Sequence, residues 1–541
     1  MVFSQLLVVM IAAIGIAIFA ERKGIQAPLL LAVVGLAASF IPGLERLELE
    51  PEIILTVVLP PLLFSAAREF SFDSFLRRLG SIGNLGVFLV IATTGFVGFV
   101  AAQLIPGITL PAAMVLAAVV SPPDAVTAVA VGRKLQLPER LMTVLKGESL
   151  INDAAALTLF TFAAASVTGA PLFTDAIGLY LAYSAFGGIV AGMLIGNVVA
   201  ALQRSLDNPS LTTVLSVLVP FSSYLIAEEL GASGVLAVVA AGFAMGHHAA
   251  ELNYASRIQE GQFWRTVDSL LETFVFAYIG LQLRFVIDDA AEAGVDLGDL
   301  VLITLAVLAA VIGVRIAWVF ATAMLSRWRY GRVSARMAQL PANHRFRRRP
   351  LAPPFSWREN LVISWTGMRG VVTLAAAAGI PLLTLAGEPF PGRPIIQAVA
   401  FGVTIGTLLL QGLTLPWLIG RLGISDPDEA ARHAEQLAKA DAIAREATIA
   451  SVTAYRDAST DPARRQAAEA VLHRVKADGT STRLFDNEAM IDLAREMSAA
   501  RRLALIKARE ERRIGDEVVR EELEKMDFEQ AVMANWTPDR R

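Results

Sequence analysis

The chain has 541 residues, 55% of them hydrophobic, and its 50 acidic and 47 basic residues leave a net charge of −3. Its mean hydropathy of +0.55 excludes an ordinary water-soluble protein, which must cover its surface with polar groups. The absence of cysteine excludes disulfides, thiolate metal sites and a thiolate nucleophile, and nothing in the charge balance suggests nucleic acid. Charge is unevenly placed: 44 Asp, Glu, Lys and Arg lie in the last 119 residues, from Gly423 on, against 53 in the first 422. Two domains are therefore expected, an apolar membrane body over 1–422 and a charged helical tail over 423–541.

A span needs roughly 20 mostly apolar residues to cross about 30 Å of hydrocarbon. That rule predicts thirteen, near 3–20, 27–42, 51–67, 83–104, 111–131, 139–166, 175–202, 210–229, 232–248, 264–287, 299–326, 358–384 and 394–420. The first is not read as a signal peptide, because Glu21, Arg22 and Lys23 follow it where a small-residue cleavage site would be needed. With the N-terminus outside, the inside loops carry 20 basic residues and the outside loops only Arg46, Arg284 and Arg393. The excess predicts an outside N-terminus and a cytoplasmic tail.

Two spans are interrupted. The fifth contains Ser121-Pro122-Pro123-Asp124, where tandem prolines remove two backbone donors and clash with the preceding turn. The twelfth contains Thr366-Gly367-Met368-Arg369-Gly370, glycines flanking a charge. Broken helices at corresponding places of two halves point to a transport site at the bilayer midplane. Spans 1–6 and 8–13 as inverted repeats would make these two equivalent.

A charge at mid-membrane is costly and marks a functional residue by default. Those deep in spans are Asp124, Glu148, Asp153, Arg315 and Arg369; Glu228, Glu229 and Arg284 lie near span ends and read as interfacial. The densest group is Lys146-Gly147-Glu148-Ser149-Leu150-Ile151-Asn152-Asp153. At a spacing of four, Glu148 and Asn152 share one helix face, and Ser149 and Asp153 the adjacent one. Carboxylate, amide and hydroxyl oxygens suit a hard monovalent cation. One carboxylate must bind cation or proton in competition, and the other is expected to be held ionised by a buried arginine, Arg315 or Arg369. Three acids against two arginines leave one carboxylate for exchange.

Gly147-Glu148-Ser149-Leu150-Ile151-Asn152-Asp153-Ala154 closely resembles the G-E-S-L-x-N-D-A of the CPA1 family of monovalent cation/proton antiporters, the NhaP and NHE type. Gly367-Met368-Arg369-Gly370 and the run from Gly231 to Val239 are also similar, and the likeness covers residues 5–420. The resemblance implies an all-α polytopic fold with two crossing broken helices, working as a homodimer in the plasma membrane without bound cofactor. Asp153 would bind cation and proton, with Asn152 and the Ser149 hydroxyl supporting it. Glu148 would pair with Arg315, and Asp124 and Arg369 would offset the half-helix dipoles. Where the family has a threonine before the unwound-helix aspartate, this chain has Pro123, so a backbone carbonyl is the expected ligand. Many relatives carry a carboxylate after Pro60-Pro61-Leu62-Leu63-Phe64, where this chain has Ser65.

A single exchange carboxylate beside Asn152 predicts electroneutral exchange of one proton for one Na⁺, with Li⁺ or K⁺ as further substrates. The alternatives are a K⁺-selective antiporter of the same family and a cation channel. Gly231-Ala232-Ser233-Gly234 fits the G-x-S-G of an intramembrane serine protease, but His247 and His248 close the same span instead of facing the serine. No phosphate-binding G-x-x-x-x-G-K-[ST] stretch supports ATP-driven transport, and no enzyme is expected. His247 and His248 read as a favourable helix-end charge. The tail is expected to start helically at Ser425 or Asp426 with Pro427 early, to break near Asp461-Pro462 and Gly479, and to serve as a regulatory or dimer-contact domain or as a solvated extension.

Overall fold

The computed structural model describes residues 2–41, 53–124, 126–171, 174, 176–338, 353–424, 429–478 and 488–536. The start of the tail at 425–428, Gly479 and Arg46 lie outside the described residues. Helices dominate. In chain order they are α1 (Val2–Lys23), α2 (Ala27–Ser39), α3 (Leu59–Glu69), α4 (Phe72–Gly83), α5 (Leu89–Leu104), α6 (Leu110–Val120), α7 (Val126–Lys134), α8 (Glu139–Thr168), α9 (Ile177–Arg204) and α10 (Pro209–Glu229). There follow α11 (Gly234–His248), α12 (Tyr254–Glu292), α13 (Leu297–Ala338), α14 (Trp357–Trp365), α15 (Val371–Ala378) and α16 (Arg393–Leu422). The tail forms α17 (Glu429–Ala458), α18 (Pro462–Asp478), α19 (Glu488–Glu510) and α20 (Asp516–Trp536). Wide π-turns at Ile54–Val58 and Asn84–Phe88 lead into α3 and join α4 to α5.

Among the described residues eight helices are long and apolar enough to cross a membrane, within 5–23, 72–104, 139–168, 177–204, 209–229, 254–292, 297–336 and 393–422. The remaining expected spans fall on shorter or interrupted helices: α2, α3 with its π-turn, α6 and α7, α11, and α14 and α15. Boundaries differ widely at α12, which begins ten residues before the expected 264, and at α13, which ends twelve residues beyond the expected 326. Hydropathy marks where a helix is apolar, whereas backbone hydrogen bonding continues through its charged ends. The expected span over 358–384 stops earlier, with α15 ending at Ala378.

Local chemistry explains the interrupted elements. The Thr109 hydroxyl caps α6 at the Ala112 N–H (3.4 Å), with Pro111 in the first turn. The helix then ends because Pro122 and Pro123 cannot donate. α14 starts on a reciprocal capping box: Ser356 Oγ accepts from the Glu359 N–H (3.3 Å) and Glu359 Oε2 from the Ser356 N–H (2.8 Å).

The chain forms two compact units, Met1–Val199 with Ser216–Met245 and Trp264–Ser425, and Ala200–Leu215 with Gly246–Phe263 and Asp426–Arg541. The core of the first is one apolar cluster running from Ala13 to Leu422, in which α6 is buried almost all round. Its helices approach closely where side chains are small. At Gly192 of α9 an added Cβ would overlap the backbone of Ala237 in α11, and Gly188 and Gly196 meet the same helix one turn to either side. In the second unit Leu505, Ala508, Val518, Leu523 and Met526 of the tail helices pack with Ala250. Arg257 and Arg502 converge there on the buried Asp527 carboxylate.

Candidate functional site

α8 carries the sequence-singled group. Gly147 lets the Ile82 side chain lie against its backbone, which fixes the helix where Glu148 turns inward. Glu148 and Arg315 are both 2% exposed and form a bidentate pair, Nη1 to Oε1 at 2.5 Å and Nη2 to Oε2 at 3.0 Å. Arg315 also donates from Nε and Nη2 to the Ile363 carbonyl, at 3.1 and 2.9 Å. One guanidinium thereby ties α8, α13 and α14 together.

Arg369 does a different job from Arg315. Its Nε donates to the Val120 carbonyl at 2.9 Å and its Nη2 to that of Ser121 at 3.4 Å, while Nη1 bonds Gly367 O. These carbonyls end α6, where the helix dipole leaves partial negative charge, and a cation there is stabilising. Opposite it, the Asp124 N–H donates to Met368 O at 2.5 Å, so the two interruptions are joined backbone to backbone. The Asp124 carboxylate lies against Gly370, where a Cβ would collide with it, just ahead of the α15 N-terminus. Negative charge at that end completes the complement. The Arg369 N–H donates to Thr407 Oγ1 of α16 at 3.0 Å, which holds the strand of unwound backbone in place.

Asn152 is fully buried and donates through Nδ2 to the Pro123 carbonyl. That carbonyl keeps a second lone pair. Asn152 Oδ1 is buried without a hydrogen-bond partner. Asp153, 7% exposed, makes no ion pair among the described residues. It lines a cavity of about 500 Å³ together with Ser149 and Asp124. Glu148 lies outside this lining. The residues taken together from the sequence thus separate, with Glu148 and Arg315 in the packed interior and Asp153, Ser149 and Asp124 facing the cavity.

Sequence reading overlooked two carboxylates. Asp268 and Glu272 of α12, one turn apart, line the same cavity, and Ser65 Oγ donates to Asp268 Oδ2 at 2.5 Å. Their signal was present as two acids four apart within the apolar stretch predicted from 264. Lying close to its start, they are not among the intramembrane charges singled out from the sequence. The count of five buried charges was therefore short. Among the described residues no three or more His, Asp or Glu converge tightly enough to hold a metal ion.

Gly231-Ala232-Ser233-Gly234 has a structural use: Ser233 Oγ accepts from the Leu236 N–H (3.3 Å) at the start of α11, and Glu228 Oε1 accepts from Gly234 N–H (3.0 Å). Arg284 donates to the Ser39 carbonyl at 3.2 Å.

The family described as sodium/hydrogen exchanger, transmembrane, matches residues 8–420. A sodium/proton exchanger of Mycobacterium tuberculosis is 33% identical over 539 residues, covering 97% of this chain and 95% of that protein. A sodium, potassium, lithium and rubidium/proton antiporter of Bacillus pumilus is 30% identical over 505 residues, covering 86% of this chain and 72% of that one. In fold the chain is similar to the sodium/proton antiporter MjNhaP1 of Methanocaldococcus jannaschii, with a TM-score of 0.57 at 18% identity over 78% of this chain and 97% of that one. With two broken helices joined at their interruptions beside a carboxylate-lined cavity, the chain belongs to the transmembrane sodium/hydrogen exchanger family: it is a multi-pass membrane transporter and not an enzyme.

Proposed function

We propose that the protein exchanges a monovalent cation, Na⁺ first, for a proton, one for one and electroneutrally, with both competing for Asp153. The observation that carries this reading is the Asp153 carboxylate, without an ion pair among the described residues, on the wall of a cavity of about 500 Å³ beside the joined helix breaks. Arg369 and Asp124 neutralise the half-helix ends, so neither end fixes charge at the site. Asp153 then alternates between two neutral forms, protonated and cation-bound. The empty carboxylate carries a bare charge whose burial is costly, so only loaded forms reorient. Equal charge in both loaded forms makes the cycle insensitive to membrane potential.

In this reading the Ser149 hydroxyl, the Asp124 carboxylate and the Pro123 carbonyl complete the cation's oxygen shell, and Asn152 positions that carbonyl. Glu148 with Arg315 stabilises the moving helices. The protein works as a homodimer in the bacterial plasma membrane, N-terminus outside, with residues 1–422 as exchanger and 423–541 as a cytoplasmic regulatory tail. The Bacillus pumilus relative, named for four alkali cations, makes K⁺, Li⁺ and Rb⁺ the further substrates to titrate.

The test is exchange in proteoliposomes driven by a pH gradient and titrated with each alkali cation, for wild type and Asp153→Asn. The variant should lose exchange, and clamping the membrane potential at fixed pH gradient should leave the wild-type rate unchanged. Normal exchange by the variant would overturn the Asp153 assignment; clear voltage dependence would overturn one-for-one stoichiometry. Sustained current without a proton gradient would make the protein a channel.

A further inference from the structure

Five carboxylates line the Asp153 cavity, those of Glu69, Asp124, Asp153, Asp268 and Glu272, against the three cationic side chains of Arg133, Lys146 and Arg265. The excess makes the chamber attractive to cations as a whole. The exchange reading above uses only Asp124 and Asp153, both from the α6 to α8 region. Asp268 and Glu272 come from α12, on another wall.

Asp268 is built into its position. The Ser65 hydroxyl of α3 donates to its Oδ2 at 2.5 Å, while its Oδ1 is buried with no hydrogen-bond partner. Glu272, one turn along α12, lines the same cavity. A carboxylate at position 65 would stand against Asp268 as a like charge; serine instead supplies a donor.

A second, independent observation points to a ligand. Thr373 of α15 is 1% exposed and lines the cavity, yet its hydroxyl has no partner. Helical threonines ordinarily bond back to the carbonyl three or four residues earlier. Thr158 does so to Ala154 (2.7 Å) and Thr404 to Ala400 (2.8 Å). Four residues before Thr373 the backbone is unwound at Arg369, so that bond is not made. A buried hydroxyl without a partner costs about 1–3 kcal/mol, and an occupant of the cavity would remove that cost.

Resting on the exchange reading, we propose that Asp268 is a second cation subsite, with Glu272 one turn on and Thr373 in the same cavity wall, where a monovalent alkali cation is selected before it reaches Asp153. The chemistry favours a monovalent ion. The carboxylates are too dispersed for three to meet on one metal, whereas a divalent ion calls for several hard oxygen ligands at once. One carboxylate with hydroxyl oxygens and retained water suits a single positive charge.

The experiment uses purified full-length protein in proteoliposomes, measuring KM and maximum rate for Na⁺, with Na⁺-dependent thermal stabilisation in detergent as a binding readout. Asp268→Asn should raise the Na⁺ KM about tenfold, the order of one lost charge-assisted contact, with the maximum rate within about twofold. Thr373→Val removes a hydroxyl that bonds nothing, so folding should be preserved while KM rises about threefold, on the order of 0.65 kcal/mol. Exchanging the two groups, Ser65→Asp with Asp268→Ser, should restore most of the affinity that Asp268→Ser alone loses. Unchanged KM and unchanged Na⁺ stabilisation in Asp268→Asn and Thr373→Val would overturn the subsite, as would an exchange variant no better than Asp268→Ser. Asp153→Asn run in parallel separates the two readings. If it is inactive while Asp268→Asn keeps the wild-type KM, only the subsite fails; if it exchanges normally, the reading of Asp153 fails.

Discussion

Arg315→Ala should be the most damaging single truncation in the membrane unit, and the structure gives the size. The side chain is 2% exposed and makes four hydrogen bonds, two to the Glu148 carboxylate and two to the Ile363 carbonyl. Its removal leaves Glu148 buried and unpaired, which costs about 3–5 kcal/mol. The orphaned carbonyl adds about 1–3 kcal/mol. The two are not fully additive, because both follow from the loss of one side chain, so about 5 kcal/mol is the working figure. Melting entropy grows with chain length, so for a unit of roughly 400 residues about 1 °C of melting temperature is lost per kcal/mol, giving a fall of about 5 °C. Thermal denaturation in detergent, followed by fluorescence-detected size exclusion, measures it. Most of the cost lies in the stranded charge, so Glu148→Gln combined with Arg315→Met should recover a large part of the loss. An Arg315→Ala protein that melts like wild type, or a double variant no better than the single one, would refute this reasoning.

Two further outcomes follow from packing. Gly192→Val places methyl groups where the α11 backbone already lies; overpacking of this kind costs about 1–3 kcal/mol, and detergent melting should fall by about 1–3 °C while Gly178→Val, which meets nothing, stays near wild type. Asp527→Ala strands the Arg257 and Arg502 guanidiniums that converge on it; the cost of about 2–3 kcal/mol should appear as faster trypsin cleavage within 488–536, with the membrane unit still intact.

The interruptions of the two broken helices were legible because their causes are local. Tandem prolines end a helix wherever they occur, and glycines around Arg369 weaken one. The inward face of α8 was legible for the same reason, since residues four apart share a face in any helix. The partner choice between Arg315 and Arg369 was not legible from the residues themselves, because either arginine could have faced Glu148. The fold decides it by putting Arg315 of α13 against α8 and turning Arg369 onto the carbonyls that end α6. Asp268 shows the opposite limit. Hydropathy locates the apolar stretch of α12 from 264, and nothing in that stretch says that the acids near its start line a cavity.

By itself the sequence determined that this protein crosses a membrane many times, that two crossings are broken, and that one short stretch concentrates its intramembrane oxygen chemistry. Those follow from apolar length, proline and glycine stereochemistry and helical periodicity, none of which needs a neighbour. Only the tertiary structure decided which charges meet. It buried Glu148 against Arg315, left Asp153 on a cavity wall, and brought Ser65, Asp268 and Thr373 to that cavity from helices up to some three hundred residues apart in the chain. Pairing across such separations depends on how helices pack, and no local pattern encodes it.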